Sequence, residues 1–192
     1  MNKKILYILL TGLMILGYSC ENYDDLIPAE YDNILSLKEL GEQNITLYET
    51  GEDTMHPLVV MKGGNNPKLT SEVGIRIMNN VELGVHSDLV GKSYTLIPSE
   101  YYELIDPSIS FGSDDMYATR NIRFKTNSLG ELLDGATENY VLPVLLYSDK
   151  DSINAERELL MLKPEVVTPV VSFASTLRSR NQCLRGIQWI LL

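Results

Sequence analysis

Between residues 33 and 165 short β-prone runs follow one another, each closed by turn residues, with no internal sequence repeat. That rhythm predicts an all-β fold in two layers, an immunoglobulin-like β-sandwich with one or two short helical turns. The clearest run is Glu72–Met78, where Val73, Ile75 and Ile77 alternate with an outward Arg76. Tyr117–Lys125 alternates the same way, with Ile122 and Phe124 inward and Arg123 and Lys125 outward. Leu58–Lys62 is almost continuously apolar, as a central strand requires. Gly63-Gly64-Asn65-Asn66-Pro67 is the strongest turn signal, because Gly and Asn accept positive φ and Pro ends pairing. Ile34–Leu37, Asn44–Glu49, Ser93–Ile97, Tyr102–Ile105, Ser108–Phe111, Tyr140–Tyr147 and Leu159–Lys163 supply the other strands. Pro143 places Tyr140–Tyr147 at a sheet edge or a bulge. Asn80–Gly91 reads as a loop with a short helix, Leu129–Leu133 as one helical turn, and Asp151–Glu158 as a turn and short helix.

The segment before this domain is of another kind. Lys3 and Lys4 precede an apolar run from Ile5 to Leu16, and residues 1–19 have the layout of a secretory signal peptide. Twelve positions are too few for a membrane span, which needs ~20 apolar residues. Cys20 follows the small Ser19, so Cys20 is expected to be the lipidated first mature residue, resembling the lipobox of bacterial lipoproteins. Gly17 and Tyr18 depart from the usual lipobox residues. Two or three acyl chains hold a protein on a bilayer almost permanently. Glu21, Asn22, Tyr23, Asp24 and Asp25 resemble the acidic signal that sends Bacteroidetes lipoproteins to the outer face of the outer membrane. Residues 20–32 are otherwise an acidic tether. The expected location is therefore the outer membrane, lipid-anchored and exposed at the cell surface.

Charge excludes some partners. The net charge of −10 becomes −12 once Lys3 and Lys4 leave with the signal. Such a chain repels phosphates and anionic lipid surfaces, so neither nucleic acid nor a basic membrane helix is expected. If Cys20 is acylated, Cys183 has no intramolecular disulfide partner. His56 and His86 stand apart, and no His/Cys/Glu spacing supports zinc. No metal or other cofactor is expected.

Catalysis finds no support either. Asp24/Asp25, Glu52/Asp53 and Asp114/Asp115 are adjacent acids. Glycoside hydrolysis instead needs two carboxyls facing each other across a sugar. The turn Gly112–Asp115 offers oxygen ligands but lacks the ordered alternation of a known calcium loop. Glycan contact is a different matter, because sugar C–H faces stack on exposed aromatic rings. Tyr101, Tyr102 and Tyr117 are the stacking candidates; Tyr101 and Tyr102, as strand neighbours, point to opposite faces. Tyr140 and Tyr147 share the ambiguity between packing and exposure.

Several stretches in order resemble one family. They are Val60–Gly64, Gly74-Ile75-Arg76-Ile77, Tyr94-Thr95-Leu96-Ile97-Pro98 with Tyr101 or Tyr102, Tyr140-Val141-Leu142-Pro143, and Ile153-Asn154-Ala155-Glu156 with Leu159-Leu160. The family is the N-terminal domain of unknown function of Bacteroidetes surface lipoproteins, which often precedes an endoglycosidase-F-like hydrolase or a lectin-like domain. The resemblance covers roughly residues 34–165 and implies an immunoglobulin-like sandwich without catalytic residues. It implies an accessory glycan-binding or spacer module of a glycan-utilisation system, acting beside other outer-membrane glycan-uptake proteins. The alternatives are the N-terminal remnant of an endo-β-N-acetylglucosaminidase-like hydrolase and a structural or adhesin component.

Residues 166–192 form a linker and a tail expected to be truncated or foreign to the fold. They hold no acidic residue but three arginines, Arg178, Arg180 and Arg185. The rival expectation is a short amphipathic helix using Leu177, Leu184, Ile187 and Leu191.

Overall fold

The computed structural model describes residues 28–170. The signal peptide 1–19, Cys20, the acidic run Glu21–Asp25 and the tail from Ser175 to Leu192 lie outside the described residues. No helix among the described residues is long and apolar enough to cross a membrane.

Among the described residues, eleven strands form two sheets. They are β1 (Ile34–Leu37), β2 (Gly41–Tyr48), β3 (Thr54–Gly63), β4 (Ser71–Ile77), β5 (Thr95–Leu96), β6 (Tyr102–Ile105), β7 (Ser108–Phe111), β8 (Tyr117–Phe124), β9 (Tyr140–Tyr147), β10 (Ser152–Ile153) and β11 (Leu159–Val167). One sheet runs β10-β1-β3-β8-β6 and the other β2-β11-β9-β4-β7, with β5 beside β9. The opening stretch is divided: β1 pairs antiparallel with β3, then β2 crosses over and pairs parallel with β11, the last strand. This order is that of an immunoglobulin-like sandwich. Inward residues of both sheets, among them Leu35, Leu58, Val60, Ile75, Phe111, Ile122, Phe124, Leu142, Val144 and Leu162, make one core.

Two α-helices among the described residues complete the domain, α1 (Asn80–Val90) and α2 (Thr126–Leu133). Both exceed the short turns expected from sequence. Asn79 starts α1 with a capping box: its side chain accepts from Val81 and Glu82 N–H, and Glu82 reaches back to Asn79 N–H. Leu83 anchors α1 on Val141 and Met161, on the outer face of the second sheet. Apolar periodicity hides this helix because Val81, Val85, Leu89 and Val90 are exposed instead of buried.

Three further expectations are corrected. Pro143 lies in β9, which is central, not an edge. Its carbonyl accepts from Met78 N–H, so its backbone faces the β4 side one residue beyond the last β4 pair, Ile77↔Val144. The missing donor thus falls where the ladder has already ended. Asp151–Glu158 holds the two-residue strand β10 and turns, not a helix. Val166 and Val167, expected in a linker, continue β11 opposite Leu47 and Tyr48.

The chain enters and leaves at opposite ends of the sandwich. Tyr31 and Asp32 accept from Asn65 and Asn66 N–H, and Ile34 pairs with Gly63 at the finish of β3. At the start of β3, Thr126 donates to Thr54 Oγ1 and seats α2, which packs against β11 beside Val166. β3 has ten residues, so the two ends are about 30 Å apart.

Candidate functional site

The exit end carries a cleft of about 670 Å³. α2 forms one wall because Leu129 is buried in the core and a Cβ on Gly130 would lie 3.2 Å from Val166. The turn after α2 is fixed by Asp134 N–H on Gly130 O (2.9 Å) and Ala136 N–H on Leu133 O (3.2 Å). The opposite wall is the end of β2 and β11, where Thr168 Oγ1 donates to Glu49 at 2.7 Å. Glu49, Glu131, Asp134, Glu138 and Glu165 line the cleft with a single amine, Lys163, and Tyr140. The field there favours cations over anions. Glu131, Asp134 and Glu138 come from α2 and the loop after it, Glu49 and Glu165 from the opposite wall, and all but Glu49 stand exposed to water.

Several titratable groups outside the cleft are tied to neighbouring elements. Arg76 grips Glu82 with two bonds of 2.7 and 2.8 Å. With the Asn79 N–H they draw the Glu82 carboxyl down to about 2. Glu42 is held below the ordinary carboxylate range by bonds from Lys92 and Tyr94. Burial lowers His56, whose Nε2 has no partner, and Glu39 opposes that effect. His86 stacks on Tyr94, ring centroids 6.3 Å apart. Among the described residues, no three His, Cys, Asp or Glu side chains gather in a metal-holding group.

The three tyrosines named from sequence do not meet as one surface. Tyr101 and Tyr102 are half-buried against the main core, and burial pushes the Tyr102 hydroxyl up. Tyr117 opens β8 and is 67% exposed. In the turn Gly112–Asp115, Asp115 is turned back onto Gly112 N–H at 2.8 Å. Sequence reasoning missed Lys62, which is 2% exposed and donates to the carbonyls of Leu69 and Gly112. It also lies 5.9 Å from the Phe111 ring centroid. Its place at the end of an apolar strand run was the available signal.

A protein-family model described as an N-terminal domain matches residues 29–153. No curated protein matches the chain in sequence. Among solved structures, a putative carbohydrate binding protein from Bacteroides ovatus ATCC 8483 is similar at 17% identity and TM-score 0.52, over 73% of this chain and 40% of that one. A protein of unknown function from Bacteroides ovatus has 14% identity and TM-score 0.57, over 82% and 55%. A two-domain protein of unknown function from Bacteroides fragilis NCTC 9343 has 12% identity and TM-score 0.51, over 84% and 56%. Identities this low carry the fold alone. The chain spans about half the length of these structures, from 40% to 56%.

Proposed function

The chain belongs to this N-terminal-domain family, and from that premise we propose that it is a non-catalytic surface module that holds and spaces glycan-handling parts away from the membrane. Entry and exit at opposite ends, about 30 Å apart, carry this reading. A tether ends on the Gly63 side, at Tyr31 and Asp32. Whatever follows Val170 starts on the α2 side, so the domain acts in series and adds its length to the reach. A lipid on Cys20 would supply the anchor. That one structural neighbour is a putative carbohydrate binding protein supports the glycan context. The match to about half of a two-domain protein supports a further part in series with this domain.

The test uses the full chain in a Bacteroides host. Cys20→Ala should abolish incorporation of labelled fatty acid, and protease added to intact cells should degrade the wild-type protein. The purified chain should release no reducing ends from polysaccharides. Periplasmic retention of the wild type, or reducing-sugar release, overturns the proposal.

A further inference from the structure

The outer face of the second sheet holds a group that neither core requires. β9 places Tyr147 there, opposite Gly74 of β4, and Gly74 is in turn opposite Ser108 of β7. The Tyr147 ring lies across the glycine: a Cβ on Gly74 would sit 2.2 Å from Cζ, 2.3 Å from Cε1 and 2.5 Å from Oη. Only the absence of a side chain at residue 74 admits the ring. One ring face therefore rests on backbone, while the residue stays 47% exposed.

Two ion pairs bracket this plate along β4, each two residues or ~7 Å from Gly74. On one side Arg76 holds Glu82 with the two bonds described above. On the other, Lys150 holds Glu72 at 2.8 Å, and Ser148 Oγ donates to Glu72 O at 2.7 Å. Ser108 and Ser110 are exposed on the adjoining strand. Asp151 accepts from Glu72 N–H and Arg120 donates to Ser108 O, both at 2.9 Å. The patch is thus a flat ring with fixed donors and acceptors and charges of both signs at its margins.

We propose that Tyr147 is the stacking platform of a saccharide site, resting on the glycan-associated reading above. The negative face of an aromatic ring attracts the weakly positive C–H edges of a pyranose. Arg76, Glu82, Glu72 and the two serines stand where ring hydroxyls of neighbouring sugar units would reach. The ligand class is a neutral oligosaccharide. Beside the two ion pairs, Asp151 and Arg120 offset each other, so the patch has no net sign, and a chain of net charge −10 disfavours sulfated or uronate polymers. An exposed ring pinned before binding loses little rotamer freedom when a sugar lands on it.

The experiment is an NMR titration of the full chain with hexaoses of β-linked glucose, β-linked N-acetylglucosamine and α-linked mannose. At least one should move amide signals clustered at residues 72–76, 108–110 and 145–148. Tyr147→Ala should weaken that saccharide about tenfold or more, Tyr147→Phe less than about threefold, and Gly74→Ala should match Tyr147→Ala by lifting the ring. Covering a bare glycine is also a structural use of an aromatic. That role alone would lower thermal stability in Tyr147→Ala and leave affinity unchanged. Binding that perturbs other residues, or survives Tyr147→Ala, overturns the platform while leaving the glycan reading intact. No binding of any hexaose also overturns it, and the surface-anchoring test above stands apart from that result.

Discussion

Replacing Gly64 by alanine tests how the entry segment is locked to the sandwich. Gly64 has φ 111°, outside the range L residues adopt comfortably. A Cβ there would meet Asp32 O at 2.5 Å, Tyr31 O at 2.7 Å and Asp32 C at 2.9 Å, all backbone atoms that cannot rotate away. The backbone term alone costs about 1–3 kcal/mol. Relief requires Tyr31 and Asp32 to retreat, weakening the bonds from Asn65 N–H (2.8 Å) and Asn66 N–H (2.9 Å). Each of those is worth about 0.5–1.5 kcal/mol. The combined loss is about 3 kcal/mol, and at roughly 3 °C per kcal/mol for a domain of this size the melting temperature should fall by about 9 °C. The matched control is Gly84→Ala inside α1, where an added Cβ meets nothing within 4 Å. There the better helix propensity should raise stability by about 0.5–1 kcal/mol. Calorimetry and urea unfolding of the full chain read both variants. A fall of less than about 2 °C for Gly64→Ala, or equal shifts for the two, refutes the reasoning.

Three further outcomes are expected. The Glu82 carboxyl should titrate at about 2 by NMR and return toward the ordinary range in Arg76→Ala. Because its folded value is depressed, its contribution is whole above the unfolded carboxylate range and is lost as pH falls toward 2; an ordinary midpoint in the wild type would sink the idea. The His56 ring should titrate below its free value because burial disfavours its charged form. Between the folded and unfolded midpoints the unfolded chain binds more protons, so stability falls as pH drops below about 6.5 and His56→Leu should flatten that slope in urea unfolding. Leu129→Ala should cost about 2–5 kcal/mol, since this side chain is fully buried and joins α2 to the sandwich core; a loss under ~1 kcal/mol would mean that α2 is merely attached.

The sequence by itself determined where most of the strands lie and which way they face. Val73, Ile75 and Ile77 point inward and Arg76 outward because the β period is two, a property that each segment carries alone. The capping box of Asn79 and Glu82 is just as local, complete within four residues, though the sequence reading passed over it. Only the tertiary structure decided the neighbours. β9 is central despite Pro143, because β4 happens to end one residue before its donor would be needed. Val166 and Val167 are strand because β2, more than a hundred residues earlier, lies alongside them. α1 keeps an aliphatic stripe in water, since one residue, Leu83, finds the outer sheet face. Tyr147 became a plate for the same reason. Its exposure and orientation depend on a bare position at Gly74, and register between strands so distant in sequence is written in the pairing, not in either segment.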